Sequence, residues 1–448
     1  MAETREAGTP AKVIGALDAV AFSVGIVVGI GIFRTPPLVA GNTGSEGWMI
    51  AAWLLGGLAM LTGALCYAEL ASARPHAGGE YHFLRAAYGH RVAVLFAWAR
   101  GTVIQTGAIA AVGFVFGEYA HAVLALGPSG PAIWAVIAVT AVTAVNLAGT
   151  SPGKGVQIIT AGVTVLLVAA LILAALTVEG APRSTASASA APQGAGGSFG
   201  LAMVFVLLTY GGWNEIAYLS GEMRDVRKTM VRAALIASAV VTLLYVGINL
   251  AYLHVLGFDG LTASKAVGAE FMRRIAGESG AMALSLVVCF AALSTLNATV
   301  FTGARVYYAL GNDIPLLRRL GVWSEAGDAP RNALLLQGVI ALALVGFGSV
   351  ARDGFSAMVD YTAPVFWLFL LLVAISLFVL RVREPDAPRP FSVPLYPITP
   401  LVFAAVCAYL LYASLNYTGL GALLGLGVLI AGLPLAFRRQ PPVAHEAR

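Results

Sequence analysis

The chain has 448 residues, 59% of them hydrophobic and 11% charged, with a mean hydropathy of +0.84. Soluble domains carry about 25% charged residues, so this composition excludes a soluble globular protein. Apolar stretches of roughly 20 residues point to an all-α integral membrane protein, since barrel strands would be shorter and would alternate. The +5 formal charge is spread over connections between apolar stretches; a nucleic-acid partner, which needs a clustered basic face, is not expected.

In chain order the pattern predicts about twelve transmembrane helices, at 14–39, 48–72, 92–119, 132–147, 156–178, 199–220, 233–255, 281–310, 333–350, 355–380, 398–415 and 420–437. Lys and Arg resist translocation and collect on the cytoplasmic side. One set of ends holds Arg5, Lys12, Arg74, Arg85, Arg91, Lys154, Arg224, Arg227, Lys228, Arg232, Arg318, Arg319, Arg331, Arg381, Arg383, Arg389, Arg438 and Arg439. The alternate ends hold Arg183, Lys265, Arg273, Arg274 and Arg352, so both termini are expected in the cytoplasm. No cleavable signal is read, and the first span is expected to serve as its own insertion signal.

The first span is interrupted by Gly25-Ile26-Val27-Val28-Gly29-Ile30-Gly31-Ile32-Phe33, followed by Arg34, Thr35, Pro36 and Pro37. An unpaired backbone group in hydrocarbon costs several kcal/mol, so a broken helix belongs where its freed amides and carbonyls line a protected cavity. The sixth span repeats the feature at Leu208-Thr209-Tyr210-Gly211-Gly212-Trp213-Asn214-Glu215. Two broken helices, five spans apart and oppositely directed, predict an inverted 5+5 repeat within a single transporter domain. The repeats are read as 14–178 and 199–380, with two appended helices at 398–437. The plainer reading of the same glycines is close helix packing.

Ionisable residues inside spans are expensive and mark candidate sites. Glu215 is open to three readings: proton carrier, contact to a basic substrate side chain, or cap of the broken helix. Arg34 and Asp360 are candidates for an outer gate pair, the alternative for Arg34 being a hydrated residue at the interface. Glu69 and Arg100 are expected to hold the inner ends together, and Asp18 to pair with Lys12, Arg305 or an inner-loop arginine. His76, His82, His90 and His121 have no metal-ligand spacing and are read as solvated. Cys66, Cys289 and Cys407 lie within apolar spans and read as packing residues. The stretch 181–198, rich in Ala, Ser, Gly and Pro, reads as an external connection. There is no Walker loop, paired catalytic carboxylates or nucleophile triad, so no enzyme is expected.

Several motifs together resemble the amino acid-polyamine-organocation superfamily, in particular bacterial relatives of the L-type amino-acid transporters. They are Gly29-Ile30-Gly31-Ile32-Phe33 with Thr35 and Pro36; Ala68-Glu69-Leu70 with Pro75 and Gly78-Gly79-Glu80-Tyr81; and Tyr210-Gly211-Gly212-Trp213-Asn214 with Glu222. Asn297 with Ser294 and Thr295, Arg305 with Tyr307, and Arg389-Pro390-Phe391 with Val393-Pro394-Leu395-Tyr396-Pro397 continue the likeness. The resemblance implies that a substrate carboxylate sits on the amides of Gly29, Ile30 and Gly31. It also implies that the amino group meets carbonyls near Val27, Leu208 and Gly211, with Thr209, Trp213 and Glu215 alongside.

Three positions depart from that pattern. Ile30 stands where relatives place Ser or Thr, which removes a hydroxyl but keeps the amide. Leu208 replaces an aromatic gate, leaving Tyr210 and Trp213 as gate candidates. Thr164 stands where proton-coupled and exchanging relatives often carry Lys. Without that ammonium, the carbonyls of Gly25 and Val28 and the hydroxyls of Ser294 and Thr295 form a candidate sodium site, hard oxygen ligands suiting a hard cation; Ser and Thr also satisfy helix carbonyls routinely. No firm metal site or cofactor is expected beyond Na+ or H+ as coupling ion.

The resulting expectation is a secondary active permease, symporter or antiporter, that moves amino acids across a bacterial inner membrane by alternating access. Spans one, two, six and seven would rock against three, four, eight and nine. A polyamine or organic-cation carrier of the same fold is the first alternative, and a membrane sensor or channel the second. Between spans three and four, 120–131 contains no Cys, so the disulfide-linked heavy chain of the animal relatives is not expected.

Overall fold

The computed structural model describes residues 14–76, 78–149, 154–181, 198–324, 329–417 and 419–437. Most of the 181–198 connection, Lys12 and the basic termini lie outside them. Among the described residues, ten helices are long and apolar enough to cross a membrane, and eleven if the pair Phe199–Thr209 and Trp213–Ser220, bent by 41°, counts as one span. A shorter apolar helix lies at Gly162–Ala175. The protein is a multi-pass membrane protein built from helices.

The interrupted spans have the form their sequence predicts. α1 (Ala16–Val27) ends, a 3-10 turn covers Ile30–Phe33, and α2 (Thr35–Thr43) continues beyond it. α2 carries Pro in its first turn, where a missing N–H leaves nothing unpaired, and stops at Gly44 in the left-handed region at φ 71°. α3 (Glu46–Ala73) starts at Ser45, whose hydroxyl accepts from the Trp48 amide at 3.4 Å. A short helix, α4 (Gly79–Tyr88), lies in the connection that follows.

The third span is less regular than its sequence suggests. α5 (His90–Ala99) passes through a π turn at Arg100–Gln105 into α6 (Thr106–Val123). After it come α7 (Gly130–Leu147), α8 (Lys154–Ala175) and α9 (Phe199–Thr209). Next are the 3-10 segment Trp213–Glu222, α10 (Val226–Ala263), α11 (Val267–Asp313), α12 (Arg331–Ser349) and α13 (Gly354–Arg383). The chain closes with α14 (Ile398–Tyr417), α15 (Leu420–Ala431) and α16 (Leu433–Phe437). α11 is longer than the predicted eighth span and kinks at Ala276 and Gly277, where a preceding helical segment from Val267 joins it.

The chain divides into two compact units, each assembled from three separate stretches. The first comprises residues up to Ala87, then Ala161–Phe258 and Leu370–Ala408; the second comprises Tyr88–Thr160, Asp259–Phe369 and the chain from Tyr409.

Within the first unit, α3 offers small residues to its neighbours. A Cβ on Gly63 would fall 2.6 Å from both Trp213 and Phe403, so only Gly admits this approach. The start of α1 and the end of the Trp213–Glu222 segment are tied where the Arg224 amide donates to the Ile14 carbonyl at 3.1 Å. Asp18 accepts from the Gly15 amide at 2.9 Å and caps α1 from within its first turn; the expected partner Lys12 is not among the described residues. Glu69 is 3% exposed and meets an arginine, Arg381, in a two-point pair at 2.7 and 2.6 Å. It also accepts from the Val393 amide at 2.7 Å.

In the second unit, amide side chains clamp α11. Gln105 donates to the Thr299 carbonyl at 3.0 Å, Asn146 to Asn297 at 2.8 Å, and Gln337 to the Val300 carbonyl at 2.9 Å. The π turn shifts carbonyls out of α-helical register. Two tyrosines take them up: Tyr307 donates to Gly101 and Tyr361 to Thr102, each at 2.9 Å.

Candidate functional site

The two breaks meet inside the first unit. Gly212 adopts φ +100°, and a Cβ there would lie 3.4 Å from the Ile26 carbonyl and would run into the Ile26 side chain. Both the left-handed backbone and the close approach require glycine. Thr209 and Thr35 share a hydrogen bond between hydroxyls at 2.7 Å, and the Thr35 hydroxyl also reaches the Gly31 carbonyl at 3.0 Å. The breaks are therefore cross-linked by side chains and not merely adjacent.

The first break frees backbone groups of opposite polarity. Ile30 and Gly31 open the 3-10 turn, so their amides have no acceptor within it, and Gly29 and Gly31 are only half-buried. The end of α1 leaves the Gly25 carbonyl without an i+4 donor, since the amide of Gly29 goes to Val27. Donors and acceptors fixed a few ångströms apart suit a zwitterion without a buried charged side chain.

Tyr245, on α10, was not singled out by sequence reasoning. Its hydroxyl lies 2.6 Å from the Val27 carbonyl and 3.1 Å from the Thr209 carbonyl, bridging the two breaks. A phenol has one proton, so only one of these carbonyls is fully satisfied at a time. The Val27 carbonyl also accepts from the Gly29 amide at 2.7 Å, and that of Leu208 accepts from Gly211 at 3.1 Å. The available signal was a Tyr in an apolar span with Asn249 one turn later; Asn249 donates to the Tyr245 carbonyl at 2.7 Å.

The other sequence candidates fall in varied surroundings. Tyr210 is wholly buried, donating to the Trp53 carbonyl at 2.9 Å and packing on Trp53 and Tyr245. Trp213 packs edge-on against Tyr67 and Phe403. Leu208 is half-buried, and so is Glu215, whose amide donates to the Gly212 carbonyl at 3.0 Å. Thr164 is buried in the first unit.

Arg34 is 2% exposed, which overturns its reading as a hydrated interface residue. Asp360 belongs to the second unit, where its carboxylate accepts from the Gly419 amide. Ser294 and Thr295 also belong there and are half-buried, while Gly25 and Val28 belong to the first. His76 and His82 stack with ring centroids 4.3 Å apart, a contact the solvated reading did not foresee. A cavity of about 220 Å³ lies beside Glu69, Arg74, Arg381, Glu384 and Arg389, with the charge clamp and not with the breaks.

A family model described as "Amino acid permease" matches residues 14–423. The chain belongs to the amino acid permease family. The permease is 31% identical over 410 residues to the b(0,+)-type amino acid transporter 1 of Rattus norvegicus, covering 90% of this chain and 82% of that one. It is 28% identical over 429 residues to the Serine/threonine exchanger SteT of Bacillus subtilis (strain 168), covering 95% and 96%. It is 29% identical over 437 residues to the Large neutral amino acids transporter small subunit 2 of Oryctolagus cuniculus, covering 95% and 80%. These matches bear out the resemblance carried by the glycine motifs: the permease is a transporter of amino acids and not an enzyme, and neither the polyamine nor the channel alternative is favoured.

Proposed function

We propose that the permease exchanges neutral amino acids by alternating access, with the substrate's two charged groups held by the two breaks. The single observation behind this reading is that Tyr245 and the Thr35–Thr209 pair fasten the interrupted backbones of spans one and six together. The carboxylate is assigned to the amides of Ile30 and Gly31 and to that of Gly29, which leaves the Val27 carbonyl for it, and the ammonium to the carbonyls of Val27, Leu208 and Gly211. On this assignment the Tyr245 hydroxyl yields the Val27 carbonyl when an ammonium arrives. Thr209, Trp213 and Glu215 border the site.

Exchange, and a neutral side chain, are supported by the names of two relatives, a serine/threonine exchanger and a large neutral amino acid transporter subunit. The inverted repeat is supported by opposite directions of the two broken spans. Rocking is supported by the way α1, α3, α9 and most of α10 share one unit while α6, α7, α11 and α12 share the other. The asymmetry of basic residues supports placement in a bacterial inner membrane with both termini cytoplasmic. A disulfide-linked subunit is not part of this reading, because 120–131 lacks cysteine.

The test is uptake of pooled radiolabelled amino acids and polyamines into proteoliposomes. Uptake that requires internal amino acid supports exchange. Accumulation driven by sodium and lost in Thr295→Ala would instead assign coupling to Gly25, Val28, Ser294 and Thr295; accumulation driven by protons and lost in Glu215→Gln would assign it to span six. Gating by Arg34, Tyr210 and Asp360 is read from the external KM of their variants.

A further inference from the structure

The segment Trp213–Glu222 is the inner half of a broken span, and it is gripped along its length by the connection after α3. Glu80, at the start of α4, is 4% exposed. One of its carboxylate oxygens accepts from the Tyr67 hydroxyl at 2.6 Å and from the Asn214 amide at 2.9 Å, and the other accepts from the Tyr218 hydroxyl at 3.0 Å. Gly79 beside it adopts φ +46°, and a Cβ there would stand 2.8 Å from the Tyr218 ring. Further along, the His76 amide donates to the Ser220 hydroxyl at 3.2 Å. By contrast, Gly211 and Gly212 interrupt the helical backbone that would otherwise carry motion from α9 to this segment.

We propose that Glu80 is a positioning residue for transport: it fastens the inner half of span six to α3 and α4, and this latch releases when the site opens to the face carrying residues 74–91. Two of its donors come from the half-helix that must move and one from α3. Hydrogen bonds to a carboxylate are among the stronger neutral-donor contacts, yet each is individually breakable. Releasing Glu80 uncouples the half-helix and favours the state open to that face. The proposal rests on the alternating-access reading.

The test measures KM for the same amino acid from each face of oriented proteoliposomes, for wild type, Glu80→Ala, Glu80→Gln and Tyr218→Phe. Saturable wild-type transport from both faces tests alternating access on its own. Loss of the latch lowers the fraction competent for outer binding, so Glu80→Ala is expected to raise the outer KM about fivefold or more and to lower the inner one. Gln, which preserves shape and most of the bonds, restores values to within about twofold. Tyr218→Phe moves both KM values in the same directions as Ala, by less. A role in folding alone lowers yield and kcat and leaves the ratio of the two KM values unmoved. An unmoved ratio in Glu80→Ala overturns the proposal, and if Ala does not fold, an unmoved ratio in Tyr218→Phe does so.

Discussion

Two buried carboxylates stand eleven positions apart at the same end of the first unit, and they are held in different ways. Glu69 faces guanidinium: the two-point pair with Arg381, with Arg389 at 3.9 Å, and the Val393 amide. Arg389 is itself fixed to the end of α13, donating to the Glu384 and Pro385 carbonyls at 2.5 and 2.9 Å. Glu80 is met by two phenols and an amide. Planar charge-assisted forks give strong, directional bonds, whereas hydroxyl and amide donors rotate and exchange partners more readily. The first arrangement suits a joint that stays closed, the second one that opens in each cycle.

The contrast breaks most visibly at the clamp. Arg381→Ala leaves Glu69 buried without its main cation, which costs on the order of 3–5 kcal/mol; the thermal midpoint in detergent should fall by more than for any variant at Glu80. If Arg381→Ala unfolds no earlier than Glu80→Ala, the distinction between joint and latch is wrong.

Gly212→Ala comes next, because a left-handed backbone costs a residue with a Cβ roughly 1–2 kcal/mol and Ile26 occupies the added methyl's place. Its expected signature is lost transport with modest loss of stability. Tyr245→Phe removes one hydroxyl from the Val27 carbonyl at a cost of about 1 kcal/mol in stability, and is expected to change substrate KM more than the thermal midpoint.

The smallest effect concerns His82, on α4 two residues beyond Glu80. Partial burial, then the neighbouring His76, Arg74 and Arg85, hold its pKa below 6.5. The folded protein therefore binds fewer protons than the unfolded chain, so stability is retained above the unfolded pKa and declines as pH falls from about 6.5 through the folded value. The thermal midpoint of wild type should drop more steeply than that of His82→Gln between about pH 7 and pH 5.

What could be read from sequence divides along the same physical line. Breaks in a helix are local events written in Gly25, Gly29, Gly31, Gly211 and Gly212, so the interrupted spans were predictable from neighbouring residues alone. Partners are set by packing between distant segments. Tyr245 reaches a carbonyl 218 positions away, and nothing near position 27 announces it. Glu69 was expected to join an inner-end network, yet its partner Arg381 had been counted only as a topology signal. Arg34 next to Pro36 and Pro37 resembles an interface residue in one dimension; only the fold buries it.

The π turn at Arg100–Gln105 also governs the azimuth of everything before it. A π turn accommodates one residue more than the α-helix around it. Deleting a single residue between 100 and 105 would restore regular winding and rotate α5 by about 100° relative to α6, with a shift of about 1.5 Å along the axis. Trp98, whose indole now donates to the Val428 carbonyl at 2.8 Å, would swing away from α15. One extra residue thus aims a whole helix.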